Sequence, residues 1–247
     1  DLAIDVPGDR VDGLSDAGSV NVIYGGNDGL GATGNQLWNQ NSPDIGGGSE
    51  AGDRFGSSLA VGDFNGDGVD DLAIGVYGEA IGSDGTAGAV NIIYGESGQG
   101  LVSSGNQFIS QATSGFLGAA EPGDQFGFSL ATGRLNNDGY HDLAIGAPSE
   151  DFDAVVNAGA VYIVHGSSSG LQFNDEYIIS ESYFSVPGGR RANRFFGSSL
   201  TISDFDNDNK HDLAIGTRPS APSSSNDYAV IVAYRINHDP IFKNGFE

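Results

Sequence analysis

The chain contains no cysteine and no methionine, and basic residues are scarce. Without cysteine, disulfide bonds and thiolate metal sites are excluded. Only 10 of the 247 residues are Lys or Arg, against 33 Asp and Glu, which gives a formal net charge of -23. A surface of that charge repels nucleic acid and anionic membranes. The composition therefore predicts no nucleic-acid partner and favours a cation as the small partner.

Long apolar runs are missing as well. No run approaches the roughly 18 residues that a membrane span requires, so no membrane insertion is expected. Charged residues make up only 17% of the chain, and 40 glycines stand against 8 prolines without a collagen-like triplet period. This composition is typical of a turn-rich protein rather than a helical bundle.

An internal repeat of about 70 residues dominates the sequence. The string Phe-Gly-x-Ser-Leu occurs three times, beginning at Phe55, Phe126 and Phe196. Each copy is followed, after an Asp-rich turn, by Asp-Leu-Ala-Ile-Gly, beginning at Asp71, Asp142 and Asp212. A fourth copy of that second string opens the chain at residues 1–4, without a Phe-Gly string before it. The sequence therefore predicts one repeat domain over 1–247, with units at approximately 1–50, 51–121, 122–191 and 192–240 and a tail at 241–247.

Each unit carries short segments with strand character, separated by clusters of Gly, Asn, Asp and Ser. In the second unit they lie near 55–62, 71–76, 88–94 and 106–110. The middle two are nearly continuous apolar runs, which predicts burial on both faces. Four antiparallel strands repeated at a fixed period predict an all-β fold, a β-propeller of four-stranded blades.

Small and large residues recur at matching positions of the units. Glycines at Gly75, Gly146 and Gly216 are expected to let neighbouring sheets approach closely. Trp38, the sole tryptophan, aligns with Phe108 and Ile178, a register that favours blade packing over an exposed sugar-stacking ring.

The repeated strings, with Ala147-Pro148 after one of them, resemble the FG-GAP repeats of integrin alpha-subunit propellers and their bacterial relatives. The resemblance implies a calcium-binding propeller, and we expect a bacterial member. Propellers of this family usually have seven blades, about twice the 3.5 units counted here. The chain is expected to be part of a larger propeller, because its first unit lacks the opening strand. The alternative is completion by self-association through open blade edges.

The Asp-rich turn of the second unit has the pattern of a cation site. Gly68 at its sixth position permits a sharp turn. An all-oxygen cage suits calcium, because magnesium demands tighter octahedral geometry and zinc prefers His or Cys. The expected ligands are the side chains at positions 1, 3, 5 and 9 and the carbonyl at position 7: Asp63, Asn65, Asp67, Asp71 and Val69.

The fourth unit repeats this pattern, with Asn209 at the sixth position. Its expected calcium ligands are Asp204, Asp206, Asp208, Asp212 and the Lys210 carbonyl. In the third unit, loop 134–142, Arg134 occupies the first position, so that loop is predicted to hold no metal. Arg134 is expected to contact Asp138 or Asp142 instead. The competing interpretation of any one such turn is a hairpin held by side-chain-to-backbone bonds; the repetition favours calcium.

Other polar residues carry weaker signals. His141 and His211 occupy the eighth position of their loops and are interpreted as exposed polar residues. Asp53 and Asp124 precede the Phe-Gly strings and are expected to cap turns. The basic patch Arg190–Arg194 has two open interpretations, a contact with an acidic partner or polysaccharide and a local salt-bridge network.

The motifs of common enzyme classes are absent, including Gly-x-Ser-x-Gly and His-Glu-x-x-His, and no catalytic or cofactor-binding residue is assigned. The sequence predicts a non-enzymatic module, secreted or on the cell surface, where calcium is abundant. Its expected role is adhesion or binding of a protein or glycan ligand. The alternative is a lectin-like or accessory domain of a secreted carbohydrate-active enzyme.

Overall fold

A computed structural model describes residues 1–116, 118–184, 191–218 and 232–234. Within these ranges the chain forms four consecutive antiparallel sheets and one short 3-10 helix, Glu181–Phe184. The first sheet contains β1 (Leu2–Val6), β2 (Ser19–Gly26) and β3 (Gly29–Trp38). The second contains β4 (Ser58–Gly62), β5 (Asp71–Val76), β6 (Ala89–Glu96) and β7 (Gly100–Ile109). The third contains β8 (Ser129–Gly133), β9 (Asp142–Ala147), β10 (Ala160–His165) and β11 (Gln172–Ile179). The fourth contains β12 (Ser199–Ser203), β13 (Asp212–Gly216) and β14 (Val232–Tyr234).

The strands of each sheet are hydrogen-bonded in chain order, as in the blades of a β-propeller. The innermost strands of successive blades lie beside one another, β4 against β8 and β8 against β12. The predicted all-β propeller-type fold is confirmed, and both middle blades have four strands. The first blade starts at the strand equivalent to β5. The predicted tail at 241–247 lies outside the described residues.

Of the four predicted strands of the second unit, only 71–76 has the predicted bounds; the third, expected at 88–94, spans Ala89–Glu96. The opening strand, expected from residue 55, begins at Ser58, because the N–H of Phe55 bonds to Ala17 of the preceding blade. The last strand of the second unit, expected at 106–110, spans Gly100–Ile109. Its first half is rich in Gly and Ser and shows no apolar alternation, and a bulge between Ile92 and Tyr94 shifts its register. The first half of this strand therefore has no hydrophobic pattern from which it could be predicted.

Each Phe-Gly string joins its blade to the preceding one. The phenylalanine N–H donates to a carbonyl of the previous blade, from Phe126 to Ala87 at 2.9 Å and from Phe196 to Ala158 at 3.1 Å. The three phenylalanine rings are fully buried. The Phe-Gly pair of the string therefore forms the blade junction, and the strand begins at the serine of the same string.

The serine of the same string makes a second contact between blades. Ser58 Oγ donates to the Gly127 carbonyl at 2.7 Å, and Ser129 Oγ donates to the Gly197 carbonyl at 2.6 Å. Each serine thus lies in one blade and binds the Phe-Gly glycine of the next.

The core consists of three apolar clusters built around β5, β9 and β10 and the faces that pack on them. The predicted burial of the central strands is confirmed, since every residue of β5 and β9 is buried. Trp38 is also buried, at 9% exposure, and belongs to the apolar cluster between the first and second blades. It pairs with Val20 as Ile109 pairs with Val90, so its counterpart is Ile109 rather than Phe108.

Close approach of neighbouring blades requires glycine. A Cβ on Gly75 would lie 2.2 Å from the Gly127 carbonyl oxygen, and one on Gly146 would lie 2.3 Å from the Gly197 carbonyl oxygen. Gly127 itself has φ +85°, and a Cβ there would lie 2.4 Å from the Ala89 carbonyl oxygen. The predicted role of Gly75 and Gly146 is confirmed.

We expect Gly127→Ala to destabilise the fold by at least about 2 kcal/mol, because it adds a backbone clash to the strain of a positive φ. Gly98→Ala is the matched control, since Gly98 has φ +77° but nothing within 4 Å of its Cβ position. It should cost only about 1 kcal/mol. Urea unfolding measures both; equal losses would show that the close approach does not matter.

Candidate metal centre

The three Asp-rich loops occupy the same place in successive blades. Each connects the first strand of the repeat to the second, in the turns 63–70, 134–141 and 204–211. Loop positions are counted from Asp63, Arg134 and Asp204. The repeat therefore brings the predicted ligands to equivalent positions at one end of each blade.

The ninth residue of each loop is a buried aspartate that begins the second strand. Asp71, Asp142 and Asp212 are at most 1% exposed. Each accepts a hydrogen bond from the N–H of the second loop residue, at 2.8 Å from Phe64 and 2.7 Å from Leu135. The same contact occurs in all three loops, so this aspartate fixes the base of the loop whatever occupies the first position.

The first-position carboxylate organises the rest of the loop. Asp63 accepts hydrogen bonds from the N–H groups of Gly66, Asp67 and Gly68, at 2.7, 3.1 and 3.0 Å. Asp204 accepts two equivalent bonds, from Asp208 at 3.1 Å and Asn209 at 2.9 Å. These bonds curl the backbone around the carboxylate.

The carboxylates of the fourth loop converge. One oxygen from each of Asp204, Asp206 and Asp208 lies within 4.8 Å of the others, the only such group of acidic or His side chains found in the described ranges. In the second loop, Asp63, Asn65 and Asp67 are linked at the same positions, with Asn65 Nδ2 donating to Asp67 Oδ2 at 3.1 Å. These oxygens form a set that a hard divalent cation could bridge.

The backbone of the three loops has the same twist. The sixth position is left-handed in each loop, as predicted, with φ +86° at Gly68 and +65° at Asn209. The fourth position is left-handed too, at Gly66, Asn137 and Asn207, a feature that was not predicted. A Gly or Asn at that position was the available signal.

The buried aspartate of the second loop, Asp71, has a raised pKa. Burial, followed by the charges of Asp67 and Asp63, raises the pKa of Asp71 to about 6, although the N–H groups of Gly95 and Phe64 oppose the shift. A bound cation would favour the ionised carboxylate. The carbonyls of Val69 and Lys210 complete the predicted ligand sets and remain predictions.

The expected ion pair of Arg134 is wrong. Its side chain is exposed, and the ion pairs among the described residues include none that joins it to Asp138 or Asp142. Asp142 Oδ1 instead faces His165 Nδ1 at 3.0 Å. The third loop is instead held by hydrogen bonds from its backbone N–H groups to the side chains of Asn136, Asp138 and Asp142.

The two loop histidines are half-buried rather than exposed, which corrects their interpretation. His141 Nδ1 accepts a hydrogen bond from the N–H of Asp63 at 2.8 Å, and His211 Nδ1 accepts one from Arg134 at 3.0 Å. Each histidine thus joins its loop to the loop of the preceding blade. Burial, followed by the Arg134 charge, lowers the pKa of His141, in keeping with a neutral acceptor. The sequence feature that indicates this role is the recurrence of histidine at the eighth position of two loops.

The basic patch is resolved in part. Arg194 is 3% exposed and its Nε lies 3.1 Å from Glu181 Oε1, which supports the local salt-bridge interpretation. Arg190 lies outside the described residues. Asp53 and Asp124 cap turns as predicted, accepting the N–H groups of Glu50 and Glu121.

No helix in the described ranges has the length and apolar character needed to cross a membrane.

Comparison with known proteins agrees with this architecture. The family model described as "FG-GAP repeat" matches residues 55–93 and 126–164, which contain the whole of the Asp-rich loops 63–70 and 134–141. The chain is 33% identical over 184 residues to a phosphatidylinositol-glycan-specific phospholipase D of Rattus norvegicus, covering 73% of this chain and 20% of that protein. It is 32% identical over 172 residues to integrin alpha-3 of Cricetulus griseus, covering 69% of this chain and 15% of that protein.

A third relative, integrin alpha-PS2 of Drosophila melanogaster, is 34% identical over 179 residues, which are 70% of this chain and 12% of that protein. The chain thus spans a fifth or less of the length of these relatives. With the repeated Phe-Gly junctions and the propeller-type sheets, these matches show that the chain contains FG-GAP repeats and is similar to integrin alpha chains.

Proposed function

We propose that the chain is a calcium-stabilised propeller module, secreted or displayed on the cell surface, that binds a protein or glycan ligand in adhesion or as a scaffold. The observation that carries the calcium part is the convergence of the Asp204, Asp206 and Asp208 oxygens in a loop that the second blade repeats. Similarity to integrin alpha chains supports the adhesive role and the extracellular location.

Calcium would bind with little rearrangement of the loop, because the loop is already curled by side-chain-to-backbone hydrogen bonds. Asp63 and Asp204 organise the loops, and the carboxylates of position 5 add the second negative charge. Several carboxylates a few ångströms apart repel one another without a cation. Calcium should therefore stabilise the blade ends as well as bind to them.

A second candidate function is the accessory domain of a secreted enzyme. It is favoured by the similarity to a phospholipase D, whose name states that it acts on phosphatidylinositol-glycan. This chain would contribute ligand binding rather than chemistry in that case. Arrays of cell-surface protein ectodomains and of glycans, probed with the purified chain in calcium and in chelator, distinguish the roles. Calcium-dependent binding to proteins supports adhesion, binding to glycans supports the accessory role, and binding to neither contradicts both.

Calcium titration should show two sites per chain. Asp67→Asn and Asp208→Asn should each weaken one site about tenfold or more, because each removes a negative ligand but keeps an oxygen for the loop's own hydrogen bond. Asp138→Asn is the matched control at the same position of the third loop, and it should leave the stoichiometry at two. Isothermal titration calorimetry makes the measurement; a chain that binds no calcium would refute the proposal.

Removal of calcium should lower the melting temperature. At ten times the dissociation constant, each site contributes about 1.4 kcal/mol of stability. For a chain of this size, two sites correspond to a shift of roughly 5–10 °C. Differential scanning calorimetry with and without excess chelator measures it, and the double variant Asp67→Asn/Asp208→Asn serves as control, since chelator should barely change its melt.

Arg134→Asp should create a third calcium site. The substitution removes a positive charge from the first loop position and restores the missing carboxylate, while the loop already has the required backbone twist. Arg134→Gln removes the charge without restoring the carboxylate and should still bind two ions. A third ion in the parent protein, or only two in Arg134→Asp, would show that the first position does not control occupancy.

A further inference from the structure

Away from the Asp-rich loops, each blade junction buries a second set of polar side chains. One member follows the outermost strand of a blade, and one lies two residues before the Phe-Gly string of the next. The pairs at these equivalent positions are Gln40 and Asp53, Gln111 and Asp124, and Glu181 and Arg194. The first two junctions add a glutamate that follows the second strand of the next blade, Glu79 and Glu150 respectively.

Of the first two junctions, the second has more hydrogen bonds among its polar side chains. Gln111 Nε2 donates to Glu150 Oε2 at 2.6 Å and to the Tyr162 hydroxyl at 2.9 Å. Asp124 accepts the N–H of Glu121 at 2.8 Å. Gln111 and Asp124 are 2% exposed and Glu150 is 8% exposed. Two carboxyl groups and one carboxamide are therefore enclosed between the second and third blades.

The first junction has the same arrangement. Gln40 Nε2 donates to Glu79 Oε2, and Asp53 accepts the N–H of Glu50. Gln40, Asp53 and Glu79 are all buried. The carboxamide again joins the outer strand of one blade to a carboxyl group of the next.

Among the residues that the structure describes, no cation balances these carboxyl groups. The ion pairs among the described residues include none to Asp53, Glu79, Asp124 or Glu150. The guanidinium group of Arg54, next to Asp53 in sequence, lies over the Tyr77 ring instead. The other ionisable groups that face the two junctions are acidic or neutral: Glu50 at the first, and Glu121, Asp151 and Tyr162 at the second.

A buried carboxylate without a counter-charge is costly, and a proton is the simplest way to neutralise it. Burial, opposed by the Gln40 bond and reinforced by Asp53 and Glu50, raises the pKa of Glu79 to about 7. Burial, reinforced by Asp124, likewise raises the pKa of Glu150 to about 7, and burial raises that of Asp124 to about 7.

The third junction has the opposite charge pattern. Arg194 replaces the aspartate and Glu181 replaces the glutamine, and Arg194 Nε lies 3.1 Å from Glu181 Oε1. Both side chains are at most 4% exposed. This junction needs an ionised carboxylate, whereas the other two need a neutral carboxyl group.

We propose that the first two blade junctions are proton-dependent latches, each closed by one proton held on its Asp–Glu pair and loosened when that proton leaves. The third junction is closed by the Arg194–Glu181 ion pair and does not loosen on deprotonation. The fold would thus open selectively along two of its three junctions as the pH rises.

The direction of the effect follows from proton linkage. The folded junction binds its proton more tightly than the unfolded chain does, so its stability is greatest at low pH. It is lost as the pH rises from the ordinary carboxyl range through about 7. Between pH 5.5 and 8, local opening of the first two junctions should increase on the order of tenfold.

Hydrogen exchange of the full chain, followed by mass spectrometry with calcium present throughout, tests the proposal. The reporters are the amides that bond across the junctions, Phe55, Phe126 and Phe196, which belong to the first, second and third junction respectively. After correction for intrinsic exchange rates, protection at Phe55 and Phe126 should fall between pH 5.5 and 8, while that at Phe196 should not. An equal response at all three would overturn the proposal.

Variants of the junction glutamates test each latch separately, with the other junction of the same variant as its internal control. Glu150→Gln keeps an oxygen for Gln111 and removes one of the two titrating carboxyl groups of the junction, so the pH response at Phe126 should become smaller while Phe55 keeps its response. Asp124→Asn/Glu150→Gln removes both groups and should make protection at Phe126 independent of pH. Glu79→Gln should do the reverse. Glu96→Gln, at an exposed strand end, should change neither. An unchanged pH response at Phe126 in Glu150→Gln, or at Phe55 in Glu79→Gln, would refute the latch.

Discussion

The hydrogen bond from each Phe-Gly string to the preceding blade is the contact on which the structure depends. It positions a buried phenylalanine ring, aligns the glycine that lets the blades approach, and places the serine that bonds to the next blade. The glycines at these contacts do not tolerate a side chain, because an added Cβ would lie 2.2–2.4 Å from a carbonyl oxygen of the neighbouring blade. The Asp-rich loops and the buried carboxyl clusters are both positioned by it.

Two kinds of acidic site result, and they differ in solvent access. Positions 1, 3 and 5 of the Asp-rich loops lie at the exposed ends of the blades, where calcium can reach them and water can screen them. The carboxyl groups of the first two blade junctions are buried, and the ion pairs among the described residues give them no basic partner. The first set suits a divalent ion and the second a proton. The large net negative charge of the chain is thus distributed between groups with different requirements.

Much of this architecture could be predicted because the repeat is exact where packing is tight. The strings beginning at Phe55 and Phe126 fixed the blade period, and the loop from Asp63 to Asp71 suggested its chemistry from spacing alone. What escaped prediction depends on contacts between units. His141 binds the loop of another blade 78 residues away, and Gln40 meets Glu79 across a junction. Neither contact leaves a local pattern, although both residues recur at fixed positions of the repeat.

The serine contact between blades has a consequence for how such chains can grow. The donor, Ser129, and the acceptor, the carbonyl of Gly127, lie in the same 70-residue unit, and each is used by a different neighbour. A tandem duplication of the unit therefore supplies both halves of a new interface in a single genetic step. No compensating substitution is needed for the added blade to fit, so the loops can diverge, as the Arg134 loop has done, while the serine contacts between blades stay the same.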